Sequence, residues 1–104
     1  MLSKSSKNKK NSCLFLDRDG VINYDYGYID SFERFDLIPG VLSSLKEISS
    51  RNIHIIIITN QSGIARGMFT EDEYMFLTSK ILDMFTKEHI FISKVYTCPH
   101  HPKA

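Results

Sequence analysis

The sequence contains no long hydrophobic run. Its longest uninterrupted apolar stretches are only four residues, as at Ile55 to Ile58. A membrane-spanning helix needs about 20 consecutive apolar residues, so none is predicted. Cysteine is scarce as well. Cys13 and Cys98 are the only two, too few for the disulfide frameworks that hold small secreted domains together, and a reducing, cytoplasmic setting follows. No internal repeat is visible, which excludes a solenoid. The chain also lacks the low hydrophobicity and charge excess of disordered proteins: apolar residues make up 42%, charged residues 24%, and the net charge is +1. Its 104 residues suffice for one small soluble domain.

The small net charge hides an asymmetry. Met1 to Ser12 holds Lys4, Lys7, Lys9 and Lys10 and no acid, and the remaining nine basic and twelve acidic residues leave the rest at −3. A lysine, serine and asparagine tract of this kind reads as a disordered basic tail over 1–12, with nucleic-acid or membrane contact as the alternative. No basic-aromatic interleaving or recognition-helix pattern supports a nucleic-acid partner. The apolar segment that follows is also too short for a signal peptide.

From residue 13 onward, strand-length apolar runs alternate with helical periodicity. Cys13 to Leu16 is a short apolar run ended by Asp17, as a buried parallel strand delivering polar residues at its carboxyl end would be. Cys13 is read there as a small core residue. Pro39-Gly40 punctuates the chain, and Val41, Leu42, Leu45 and Ile48 recur at helical spacing. Ile53 and Ile55 to Ile58 give the strongest strand signal, apolar on both faces, which predicts a central strand covered on each side. Thr70 to Glu73 reads as a capping box, and Tyr74, Leu77, Ile81 and Phe85 form the buried face of a second helix. A third strand is expected at about Lys94 to Thr97. The order predicts right-handed crossovers and a parallel α/β sheet. Ligands of such sheets sit outside the carboxyl ends of the strands, which groups Asp17–Asp19, Thr59–Ser62 and Cys98–His100.

Asp17-Arg18-Asp19-Gly20 sets two carboxylates two positions apart just past a strand, close enough to share Mg²⁺, whose hard oxygen coordination they suit. A metal there offsets phosphate charge, so that one carboxylate can attack phosphorus while the other manages the leaving-group proton. The alternative is an ordinary polar turn. Thr59-Asn60-Gln61-Ser62-Gly63 brings hydroxyls, amides and close backbone approach to the same rim, as a transferring phosphoryl group requires, and Arg66 adds a cation. A strand-to-helix loop with local caps is the competing reading. Cys98-Pro99-His100-His101-Pro102 offers Zn²⁺-type ligands, though too few for a closed site. His54 and His89 have no partner pattern and read as partly buried or surface histidines.

Together, Phe15 to Asn23, Thr59 to Gly67 and Cys98 to Pro102 resemble the haloacid-dehalogenase superfamily. Within it they are most similar to the D-glycero-D-manno-heptose-1,7-bisphosphate 7-phosphatases, with the histidinol-phosphate phosphatases as near relatives. The resemblance implies a Rossmann-like three-layer α/β fold, of which residues 13–104 would supply the amino-terminal part with about three strands and two helices. It implies Asp17 as a nucleophile forming an aspartyl-phosphate and Asp19 as general acid and base. Asp17 and the Asp19 carbonyl would hold Mg²⁺. Arg18, Thr59, Asn60, Gln61 and Ser62 would face phosphate, Asp25, Tyr26, Gly27 and Tyr28 would form a substrate loop, and Cys98 and His100 would be half of a structural Zn²⁺ site.

The implied substrate is a sugar bisphosphate handled by a cytoplasmic monomer in nucleotide-activated heptose and lipopolysaccharide core synthesis, with histidinol phosphate as the alternative. The family's second zinc pair, its basic Arg-Lys motif and its late acidic motif have no counterpart in this sequence. The 104 residues are therefore expected to be inactive alone, a non-catalytic remnant being the competing description. The strand ending at Asp17 is expected to be an exposed apolar edge.

Overall fold

The computed structural model describes residues 12–98. The proposed tail, apart from Ser12, and His100 lie outside these residues. Three strands, β1 (Cys13–Asp17), β2 (His54–Asn60) and β3 (Ile92–Cys98), form one parallel sheet in the order β1-β2-β3. Ser12 lies just before β1, and its carbonyl accepts from His54 N at 3.0 Å. Helix α1 (Val41–Ser50) connects β1 to β2. A single turn, α2 (Ser62–Ala65), and the longer α3 (Glu71–Lys87) connect β2 to β3.

The capping box forms as the sequence predicts. Glu73 N donates to Thr70 Oγ1 at 3.0 Å, and Thr70 N donates to Glu73 Oε1 at 2.8 Å. Glu71, Asp72 and Glu73 place negative charge in the first turn, where the helix dipole favours it. Tyr74, Leu77, Ile81 and Phe85 are buried, one face of α3 at helical spacing.

β2 is central, but it is not covered on both sides. Both crossovers advance in the same direction across the sheet, and right-handed connections then bring both helices to one face. Leu45 of α1 and Leu77, Ile81 and Phe85 of α3 pack in one core with Ile55 and Ile57. The opposite face carries Phe15, Ile58 and Tyr96, which remain 57%, 43% and 50% exposed. Cys13 lies on this open face and is exposed, so it is not the core residue its apolar context suggests. β1 forms one edge of the sheet, as expected.

Residues 18–38 carry no periodicity, yet they fold back onto the core. The Arg18 carbonyl accepts from Val21, Ile22 and Asn23 N, and Gly20 adopts φ +91°, a conformation that favours glycine. Tyr24 N donates to the Asp36 carbonyl at 2.8 Å and Ile38 N to the Ile22 carbonyl at 3.0 Å, closing the excursion at its base. Ile22, Ile29 and Phe35 enter the core between these points. A 3-10 turn, Phe32–Arg34, lies within the excursion. Together these contacts suspend residues 24–36 beside the carboxyl end of the sheet.

Candidate active site

The carboxyl ends of β1 and β2 open into a cavity of about 520 Å³ lined by Asp17, Arg18, Asp19, Asp25, Gly27, Tyr28, Thr59, Asn60, Gln61 and Ser62. All ten of these residues were expected at phosphate, substrate or catalytic positions. This polar convergence lies at the strand ends, the place where open parallel sheets bind ligands.

Asp17 ends β1 and is exposed, with no side-chain hydrogen bond or ion pair among the described residues. Asp19 is its opposite. Its carboxylate accepts four hydrogen bonds: from Arg18 Nε at 2.9 Å and Nη2 at 3.1 Å, from Asn23 Nδ2 at 2.8 Å and from Gln61 Nε2 at 3.0 Å. A carboxylate has about four acceptor positions, so this clasp saturates it. Arg18 is 3% exposed and its guanidinium lies 5.9 Å from the centre of the Phe35 ring. The side chain thus packs between Asp19 and Phe35 at the cavity wall. Asn23, fully buried, was not anticipated from sequence. The fourth residue after Asp19 in an irregular loop gives no periodic signal.

Thr59 and Gln61 are buried, while Asn60 is exposed at the cavity rim. Gln61 Nε2 also donates to Thr59 Oγ1 at 2.7 Å. Its backbone N donates to the Cys98 carbonyl at 2.7 Å, which ties the end of β3 to the same point.

The loop expected to face substrate divides. Gly27 N donates to Asp25 Oδ1 at 2.9 Å in a tight Asx turn. Asp25, Gly27 and Tyr28 line the cavity. Tyr26 does not: its ring stacks on Tyr24 and its hydroxyl donates to Asp36 Oδ2 at 2.8 Å. That bond raises the Tyr26 pKa above its ordinary value, because ionisation removes the donor and sets a second negative charge beside Asp36. Tyr28 is held over α2. Arg66 Nη1 donates to its hydroxyl at 2.7 Å and lies 5.7 Å from its ring centre, and Gly63 leaves room for the ring above it.

The donor set near Asp17 suits Mg²⁺. One uncommitted carboxylate and a backbone carbonyl beside it are hard oxygen donors, and Mg²⁺ keeps several waters where the protein supplies few ligands. Cys98 is a free, exposed cysteine, and no group of three or more His, Cys, Asp or Glu side chains positioned to hold a metal occurs among the described residues. His54 and His89 are exposed; His54 Nδ1 lies 2.9 Å from Ser93 Oγ.

No protein-family model matches the chain. Curated proteins do. The chain is 41% identical over 91 residues to the D-glycero-beta-D-manno-heptose-1,7-bisphosphate 7-phosphatase of Haemophilus influenzae, covering 88% of this chain and 50% of that protein. It is 40% identical over 90 residues to the phosphatase of the same name from Escherichia coli K12, covering 86% and 47%. Among solved structures it matches a D,D-heptose 1,7-bisphosphate phosphatase from B. bronchiseptica, complexed with magnesium and phosphate, with a TM-score of 0.83 at 28% identity over 88% of this chain and 51% of that one. A HAD-like phosphatase from Mesorhizobium loti matches with a TM-score of 0.79 at 34% identity, covering 86% and 43%. In sequence and in fold the chain is similar to part of these haloacid-dehalogenase-like phosphatases. It spans about half the length of the curated relatives it matches. The three-stranded parallel sheet with its helices is the corresponding part of the haloacid-dehalogenase fold, and no helix among the described residues is long and apolar enough to cross a membrane.

Proposed function

We propose that residues 13–104 are the amino-terminal part of a cytoplasmic phosphatase acting on D-glycero-D-manno-heptose 1,7-bisphosphate. The observation that carries this reading is one cavity at the strand ends that brings together a free carboxylate, a clasped carboxylate and the Thr59–Ser62 loop. In this reading Asp17, unpaired and exposed, attacks phosphorus, forming an oxygen–phosphorus bond as the sugar oxygen departs with a proton from Asp19, whose protonated form releases one of the four donors that clasp the carboxylate. Asp19 then takes a proton from the water that cleaves the aspartyl-phosphate. Thr59 and Asn60 contact the phosphoryl oxygens, and Asp25, Gly27 and Tyr28 face the sugar. Asp17 and the Asp19 carbonyl would hold Mg²⁺, which when bound offsets phosphate charge. Cys98 stays assigned to a Zn²⁺ half-site with His100, and the nucleotide-heptose and lipopolysaccharide route is the proposed context.

The test is phosphate release by the whole protein from heptose bisphosphate, histidinol phosphate and other sugar phosphates. Mg²⁺-dependent release from heptose bisphosphate, lost in Asp17→Asn, is expected. A preference for histidinol phosphate overturns the substrate assignment, and no release from any substrate overturns the phosphatase reading.

A second reading applies to the 104 residues by themselves: phosphate or metal binding without turnover. It is favoured by the cavity's cations. Arg18 is the one basic side chain lining it among the described residues, and Arg18 is buried against Asp19. The charge developing on phosphorus then has no free basic side chain beside it among the described lining residues. Magnesium-dependent release by the purified chain, abolished by Asp17→Asn, would refute this.

A further inference from the structure

We infer that Gln61 is a positioning residue, which registers Asp19 against Thr59, and is not a phosphate contact. The inference rests on the phosphatase reading and deepens it. A carboxamide has two N–H bonds, and both are occupied. One reaches Asp19 Oδ2 at 3.0 Å, the other Thr59 Oγ1 at 2.7 Å. The orientation of the amide is fixed by its neighbour, because the Asp19 carboxylate only accepts and therefore requires the nitrogen and not the oxygen. Gln61 is 3% exposed, so water does not compete for these bonds. What remains to the side chain is an acceptor oxygen, which an anionic phosphate does not use.

The bridge has two consequences. Arg18 and Asn23 belong to the same loop as Asp19 and move with it, whereas Gln61 is 42 residues away and is fixed to the end of β2. It therefore sets where Asp19 stands relative to the second loop of the site. Accepting from Gln61 also turns the Thr59 hydroxyl proton away from the amide, leaving Thr59 as the donor available to a phosphoryl oxygen. Because the Gln61 backbone N donates to the Cys98 carbonyl, this one residue joins the carboxyl ends of all three strands.

Isotope-labelled chain tests this by nuclear magnetic resonance. A scalar coupling through the hydrogen bond between Gln61 Nε2 and the Asp19 carboxyl carbon is expected, with Asp19 in a single χ1 rotamer. Gln61→Met keeps the length without the donors, and Gln61→Glu keeps the shape with acceptors only. Each should lose the coupling and let Asp19 average between rotamers, while the methyl signals of Ile55, Ile57 and Leu77 stay in place. If one variant fails to fold, the other and the native coupling still decide. A single Asp19 rotamer in a folded variant, or no coupling in the native chain, overturns the positioning role. So does a direct response of the Gln61 side-chain amide to Mg²⁺ with inorganic phosphate matching that of Thr59 and Asn60. If Mg²⁺ and phosphate shift none of Asp17, Thr59 and Asn60, the phosphatase reading fails, and the coupling independently shows whether the bridge exists.

Discussion

Replacing Gly63 by alanine tests how the loop that carries Tyr28 is seated. An ideal Cβ at Gly63 would stand 2.5 Å from Phe69 Cε1 and 2.9 Å from Tyr28 Cδ1. Carbon atoms prefer about 3.5–4.0 Å, so both rings must retreat, Phe69 by roughly 1 Å. Phe69 has little room to do so. It is 4% exposed and stacks on Tyr74, itself buried and hydrogen-bonded to Thr97. Tyr28 is half-buried and tethered at its rim by Arg66, so it yields and loses that contact. Overpacking of this kind costs about 1–3 kcal/mol. Alanine recovers about 0.5–1 kcal/mol through its better helix propensity in α2. The net loss is roughly 1–2 kcal/mol, which lowers the urea midpoint by on the order of 1 M for a protein this small. Circular dichroism during urea unfolding reads the stability, and a double-mutant cycle with Arg66→Ala reads the mechanism. Because Gly63→Ala already breaks the Arg66–Tyr28 contact, the second substitution should add less in its presence than alone. An unchanged midpoint, or strict additivity, would refute the reasoning.

Two further outcomes follow from other parts of the fold. Thr70→Ala removes the side-chain acceptor of the capping box and should destabilise the protein by about 1 kcal/mol, measured by the same unfolding experiment, while Thr78→Ala on the same helix should cost less because no cap is lost. The Tyr26–Asp36 hydrogen bond should hold its stabilisation fully below the ordinary tyrosine pKa near 10 and lose it as pH rises through the raised folded value, since only protonated Tyr26 can donate. Ultraviolet titration of tyrosinate checks this: Asp36→Asn should bring Tyr26 back toward its ordinary value, and an unchanged titration would contradict the assignment.

The elements and the motif positions were legible because their signals are local. The capping box needs only Thr70 and Glu73, and the buried face of α3 needs only a helical period. The strands were placed to within two residues, β3 starting earlier than expected at Ile92. The covering of β2 was not legible, since Ile55 to Ile58 are alike in sequence and differ only in which face the crossovers protect. The 18–38 excursion was equally hidden. Ile22, Ile29 and Phe35 follow neither a two-residue nor a helical period, and their burial comes from hydrogen bonds that close the loop at its base. Tyr26 and Tyr28 look equivalent in sequence, but the Asx turn at Asp25 sends one to Asp36 and the other to the cavity. The Gln61–Asp19 bond joins residues 42 apart, a pairing that only the parallel register of β1 and β2 creates.

The open face bears on the site unequally. Asp17 pairs in register with Ile58, and Asn60 with Cys98, so both project to the side of the sheet that the helices leave uncovered. Thr59 lies on the covered side and, with Gln61, is buried. The cavity therefore straddles the end of the sheet, with its nucleophile candidate held by strand register alone and its acid/base candidate held by a saturated polar clasp. Anything that covers the apolar face of Phe15, Ile58 and Tyr96 removes water first from Asp17 and Asn60, and leaves the bonds around Asp19 as they are. Exclusion of water strengthens electrostatic interactions at a reacting centre, so occupancy of that face is a lever on Asp17, the proposed nucleophile, whereas substitutions at Arg18, Asn23 or Gln61 act on Asp19, the proposed acid and base.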